Sequence, residues 1–136
     1  MHANPYDQYR QTAVETASPE RLIIMLYDGA VKFINQAKIS MNEGNIEETN
    51  KALFKTQDII SELMIGLNME AGKIAKNLYN LYDYFQRRLV EANTKKDVGI
   101  LDEVLGHLME LRETWVEAAA KLKASPGAAT GVNIEG

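Results

Sequence analysis

Apolar residues recur with the 3.6-residue period of an α-helix in four long segments, at about 18–42, 45–67, 70–93 and 97–123. The stripe of the third segment comprises Ala71, Ile74, Leu78, Leu81, Tyr82, Phe85 and Leu89. That of the fourth comprises Leu101, Val104, Leu105, Leu108, Leu111, Trp115 and Ala119. No stretch alternates with period two for long enough to form a strand. The pattern predicts an all-α protein, an antiparallel four-helix bundle with a short N-terminal cap helix at about 5–14.

Turn and cap residues divide the chain at the ends of these segments. Pro19 must end any preceding helix, and with Ser18 it forms a typical helix start. Gly44 and Asn45 suit a C-cap followed by an N-cap. These marks predict three parts, namely a mobile cap segment, the helical bundle and a flexible C-terminal tail, at 1–17, 18–123 and 124–136.

The first two long helices carry more apolar residues than one core-facing stripe requires. The extra residues are Ile24 and Val31 in the first helix, and Ile59, Leu63, Phe54 and Ile65 in the second. They fit a central helix that contacts several neighbours, with some apolar side chains left exposed. They also fit a hydrophobic groove that receives helices of a partner.

Aromatic residues are concentrated in the sequence NLYNLYDYFQRRL, at 77–89. Tyr82 and Phe85 lie within the apolar stripe of their helix and are predicted to pack in the core. Tyr79 and Tyr84 lie at the two edges of that stripe. Because a tyrosine ring is apolar and its hydroxyl tolerates water, each of these could cover the core rim or line a groove.

The short N-terminal helix places Tyr6 and Tyr9 on one face. A helix of this length is stable only when docked on the bundle. Docking would cover apolar surface with the two tyrosines, and release would uncover it. The alternative is a frayed terminal helix without a binding role.

Composition and charge exclude several classes of function. The chain has 136 residues, 46% hydrophobic and 25% charged, with a net charge of −4 and no cysteine. Nucleic-acid binding is not expected, because it requires a clustered basic surface. Membrane insertion is not expected either, because the longest apolar run has six residues, Leu22 to Tyr27. With no secretory signal at the N-terminus, the expected location is cytoplasmic.

Residues with catalytic or metal-binding potential are sparse. Glu103, His107 and Glu110 share a helical face, but that face points away from the apolar stripe and is expected to be a solvated charged surface. There is no glycine-rich phosphate loop and no nucleophile motif. We therefore expect neither an enzyme nor a cofactor.

Three stretches resemble the flagellar secretion chaperone FliS family. They are NPYDQYRQTAVETASPERLIIMLYDGAVKFINQA, LYDYFQRRLVEANTKKD and EVLGHLMELRETW, within a similarity that covers about residues 4–122. The resemblance implies a cytoplasmic export chaperone that binds the disordered C-terminal region of flagellin, prevents premature polymerisation and escorts the subunit to the flagellar export machinery. Export-gate and regulatory proteins are further candidate partners.

The resemblance also implies that Tyr6 and Tyr9 belong to a segment that acts as a cap and a binding element. Together with the apolar flanks, it gives the candidate partner-binding residues Tyr6, Tyr9, Ile24, Val31, Ile59, Leu63 and Tyr79. The alternative function is a self-associating scaffolding bundle, which would use the same apolar flanks.

Overall fold

A computed structural model describes residues 18–124, which form four α-helices. Their bounds are α1 Pro19–Asn42, α2 Ile46–Ile65, α3 Lys73–Lys95 and α4 Val98–Ala124. A short 3₁₀ turn, Met69–Ala71, lies between α2 and α3. The predicted all-α bundle is confirmed. The predicted cap helix and most of the predicted tail lie outside the described residues.

The capping residues act largely as the sequence predicts. The Ser18 side chain accepts a hydrogen bond from the backbone N–H of Arg21, and Pro19 opens α1. Asn45 accepts from the backbone N–H of Glu48 at the start of α2. The start of the third helix differs from the prediction, because Gly72 has a φ of 96° and separates the 3₁₀ turn from α3. Only glycine adopts that conformation without strain.

The helices form a ring of four in which each contacts its two neighbours. α1 packs on α2, α2 on α3, α3 on α4, and α4 returns to α1. The pairing of Lys38 with Asp102 and of Asp28 with Arg112 shows that α4 runs antiparallel to α1. The fully buried side chains at the centre include Tyr27, Ile34, Leu53, Ile59, Ile60, Tyr82, Phe85, Leu89, Leu101, Val104 and Leu108.

The predicted core stripe of α3 is correct in the middle of the bundle and wrong at its start. Tyr82, Phe85 and Leu89 are buried, whereas Ala71 and Ile74 are exposed. The apolar stripe continues past the point where neighbouring helices cover it. The start of α3 therefore presents apolar surface at one end of the bundle.

Two close contacts fix the helices of the core. The hydroxyl groups of Tyr27 and Tyr82 lie 2.5 Å apart and link α1 to α3 across the bundle. Gly29 lies so close to α2 that a Cβ at this position would be 3.0 Å from Cδ1 of Ile59. A glycine here lets α1 and α2 approach more closely than a larger residue would allow.

Candidate polypeptide-binding surface

The groove between α1 and α2 is narrow and is covered by basic side chains. The approach of Gly29 to Ile59 brings the two helices together at its centre. One turn away, the ammonium groups of Lys32 and Lys55 lie 5.5 and 5.2 Å from the centroid of the Phe33 ring. These cation–π contacts cover the aromatic ring. A polypeptide has little apolar surface to bind on this side.

The groove between α3 and α4 is bridged by a half-buried polar network. Glu103 accepts hydrogen bonds from the Tyr84 hydroxyl and from Arg88, which lies 2.7 Å away. Arg88 also pairs with Glu91, and the His107 ring stacks on Phe85 with 5.8 Å between centroids. The hydrogen bond from Tyr84, and then that from Arg88, hold the pKa of Glu103 below its usual value. This groove is therefore closed by side chains.

This network bears on two predictions from the sequence, namely the solvated face of α4 and the role of Tyr84. Glu103 and His107 turn toward α3 and are only partly exposed, whereas Glu110 is exposed as predicted. Glu103 and His107 border the apolar stripe of α4, so they reach the neighbouring helix. Tyr84 covers the rim of the core, which is one of the two roles left open for it.

The groove between α1 and α4 is crossed by two ion pairs. Lys38 lies 2.6 Å from Asp102, and Arg112 donates to Asp28. Ile24 and Val31 occupy the same side of α1 as the paired residues by helical position, and both are half-buried. A helix could bind along this groove only by displacing the two ion pairs.

The remaining groove, between α2 and α3, is open, and we call it the side groove. It forms a depression of about 500 Å³ lined by Gln57, Met64, Gln86, Arg87 and Val90. By helical position, three exposed apolar side chains lie on the same sides of α2 and α3 as this lining, namely Phe54, Ile65 and Tyr79, which are 64%, 77% and 42% exposed. The contacts across its floor and one end are amide hydrogen bonds rather than charged bridges, from Gln86 to Ser61 and the carbonyl of Gln57, and from Asn93 to Asn50.

A second apolar depression, the end pocket, lies where α1 and α3 begin and α2 ends. Its volume is about 250 Å³. It is lined by Ile23, Leu26, Glu62, Leu63, Gly66, Leu67, Asn68, Ala71, Ile74, Ala75, Leu78, Tyr82 and Trp115. The exposed start of the α3 stripe is thus one wall of this pocket. Ile65 at the end of α2 and Met69 in the 3₁₀ turn are also exposed, and both adjoin residues of the end pocket along the chain.

The candidate binding residues occupy different environments. Tyr79 is exposed beside the side groove, and Leu63 reaches the end pocket. Ile59 was predicted at a flank of its apolar stripe and as a candidate partner-binding residue, but its side chain is fully buried against Gly29 and is not part of the exposed surface. Tyr6 and Tyr9 lie outside the described residues.

Sequence reasoning did not select Met64, Gln86, Arg87 or Val90, which line the side groove. Val90 carried a usable signal, because it is an apolar residue on the polar side of its helix. Gln86 carried none, since its contacts to α2 depend on which helix is its neighbour.

Two further features bear on what the surface can do. Within the described ranges, no group of three or more His, Cys, Asp or Glu side chains could hold a metal ion. None of the helices seen between residues 18 and 124 is long and apolar enough to cross a membrane.

Comparison with known proteins identifies the family. The family model described as flagellar protein FliS matches residues 2–122. A Bacillus subtilis protein named flagellar secretion chaperone FliS is 42% identical over 115 residues, covering 85% of this chain and 86% of the relative. The protein of that name from Salmonella typhimurium is 40% identical over 113 residues, covering 82% and 84%.

A solved structure supports the same fold. The crystal structure of a bacterial flagellar chaperone superposes with a TM-score of 0.72 at 20% identity, covering 86% of this chain and 96% of the other. The family match spans nearly the whole helical region described above. The chain therefore belongs to the FliS family of flagellar secretion chaperones.

Proposed function

We propose that this protein is a cytoplasmic chaperone that binds the disordered C-terminal region of flagellin. In this role it prevents premature polymerisation of flagellin and escorts it to the flagellar export machinery. The proposed activity is binding, without a catalytic step. The observation that carries the proposal is the side groove, which has amide hydrogen bonds at its floor and exposed apolar side chains beside it. Ion pairs or cation–π contacts cross the other three grooves.

The shape of the side groove suits an amphipathic helix. A segment lying between α2 and α3 would place its apolar stripe against Met64, Val90 and the exposed ring of Phe54. Burying such a surface supplies the free energy that ordering a flexible segment requires. A disordered, apolar partner segment meets this requirement better than a folded domain.

The end pocket extends the same surface. A chain leaving the side groove at the end of α2 passes Ile65 and Met69 before it reaches Ile74. We therefore place a helical part of flagellin in the side groove and a second apolar anchor in the end pocket. Tyr6 and Tyr9 belong, in this proposal, to a segment that covers apolar surface until flagellin binds.

Calorimetric titration with a peptide of the flagellin C-terminal region tests the proposal. Phe54→Ser should weaken binding about tenfold or more, because the ring is an aromatic anchor of the groove. Ile39→Ser is the matched control, since Ile39 is similarly exposed, at 59%, but lies on α1 away from the groove. Both variants should keep the thermal stability of the parent protein.

The outcomes separate the proposal from its alternative. Absence of flagellin binding by the parent protein would contradict the proposed function. The alternative, a self-associating scaffold, predicts a dimer or larger species at micromolar concentration in sedimentation, which Phe54→Ser would dissociate. A monomer that binds flagellin excludes that alternative.

A further inference from the structure

The side groove contains an unpaired buried hydrogen-bond acceptor. The amide nitrogen of Gln86 donates to the carbonyl oxygen of Gln57 at 2.9 Å and to the Ser61 hydroxyl at 3.0 Å. Its amide oxygen, Oε1, is buried and has no partner, and it is the one such side-chain atom among residues 18–124. Buried acceptors in folded proteins are nearly always paired, so this one requires an explanation.

The orientation of the amide follows from its two donated hydrogen bonds. Because both are directed at α2, the planar side chain is held in one orientation, with Oε1 turned away from those contacts. The residues that share the depression with it, Arg87 and Val90, are largely exposed. Exposed side chains change rotamer within nanoseconds, so a bound partner could reach the oxygen.

We propose that Gln86 is a specificity-determining residue of the side groove, and that its Oε1 accepts a hydrogen bond from a neutral donor side chain of the bound flagellin segment. The proposal rests on the proposed function and names one polar contact within it. The donor is an amide or hydroxyl group, that of Asn, Gln, Ser or Thr. A lysine or arginine is disfavoured, because burying its charge beside an uncharged acceptor costs more than burying a neutral donor.

The contact would give the groove selectivity that apolar packing lacks. A segment that buries only apolar groups here excludes water from the site and leaves the acceptor without a hydrogen-bond partner. A segment with a donor at the matching position removes that penalty. The groove would therefore discriminate among amphipathic helices that have equal apolar area.

The test measures binding of the flagellin C-terminal peptide to Gln86→Met, which keeps the length of the side chain and removes the acceptor. Affinity should fall about 5- to 30-fold, the range expected for loss of one buried hydrogen bond. Tyr84→Phe is the matched control, because it removes a side-chain hydrogen bond between α3 and α4, that with Glu103, outside the side groove. It should change affinity less than twofold.

A second measurement identifies the donor. Each Asn, Gln, Ser and Thr of the peptide is replaced by alanine, and every peptide is titrated against the parent protein and Gln86→Met. One replacement should weaken binding to the parent and have no further effect on the variant, since both changes remove the same contact.

The outcomes are distinguishable. Absence of peptide binding by the parent protein would overturn both this inference and the proposed function. Binding by the parent with equal affinity for Gln86→Met would overturn this inference alone. Effects that add for every peptide replacement would also overturn it, because no donor would then depend on Gln86.

Discussion

The hydroxyl groups of Tyr27 and Tyr82 form a buried hydrogen bond between α1 and α3, the two helices that face each other across the bundle. Burial is the main cause that raises the pKa of both tyrosines. A polar contact at this depth is stabilising only while both partners remain, since removal of one leaves a buried group unpaired.

The first prediction concerns this tyrosine pair. Tyr82→Phe should lower the free energy of unfolding by about 1–3 kcal/mol, because the Tyr27 hydroxyl loses its partner. The double variant Tyr27→Phe/Tyr82→Phe should lose less unfolding free energy than the sum of the losses of the two single variants. In the double variant, neither position keeps an unpaired buried hydroxyl group. Urea denaturation of the three variants measures this. Strict additivity would show that the two hydroxyls do not depend on each other.

The second prediction compares two helical glycines. Gly106 lies in α4 with open space where a Cβ would be, so Gly106→Ala should stabilise the protein by about 0.5–1 kcal/mol through helix propensity. Gly29→Ala should not show this gain, because its Cβ would press on the buried Ile59. Thermal melts of both variants test the difference. An equal gain at both positions would mean that α1 and α2 can accommodate an added methyl group at Gly29 without strain.

The third prediction is a pH dependence that originates at Glu103. The hydrogen bonds from Tyr84 and Arg88 lower its pKa in the folded state. A lowered folded-state pKa contributes stability above the unfolded value of about 4.3, and that stability is lost as the pH falls through the folded pKa. Glu103→Gln should therefore lose less stability than the parent protein between pH 7 and about pH 3.

Urea denaturation at a series of pH values measures the effect. Glu117→Gln provides the control, because Glu117 is exposed on α4. Its pH profile should follow that of the parent protein. Parallel profiles for Glu103→Gln and the parent would remove Glu103 as a source of acid sensitivity.

The fourth prediction concerns Tyr6 and Tyr9, which precede the described residues. Replacement of both by alanine should leave the melting temperature nearly unchanged, because Pro19 separates their segment from the bundle. Flagellin affinity should fall by about 1–3 kcal/mol if they are direct anchors. Calorimetry beside a thermal melt distinguishes the possibilities. Tighter binding would show that they only compete for the surface, and a loss of stability without a binding effect would assign them to the fold.

The helices of the bundle were predictable because their signals are local. Ser18 and Asn45 cap helices where the sequence places them, and the stripe around Tyr82 and Phe85 follows the helical period. Gly72 shifted one boundary, because a glycine at positive φ ends regular structure without altering the apolar pattern.

The binding surface was less predictable, because exposure at the edge of a stripe depends on neighbouring helices. Ile59 lies at the flank of its stripe, yet the close approach of α1 at Gly29 buries it. Phe54 lies on the opposite flank and remains exposed beside α3. Helical period places both residues off the centre of the stripe but cannot decide which side a neighbour covers.

The ring arrangement of the helices has a consequence for the order of folding. Each helix packs on the next along the chain, except where α4 returns to α1. Sequence-local contacts of this kind form within microseconds to milliseconds, whereas synthesis proceeds at about 5–20 residues per second. α2 and α3 can therefore pair as soon as both have emerged from the ribosome. The side groove forms between helices that are neighbours along the chain, and closure of the ring through Lys38 and Asp102 completes the fold.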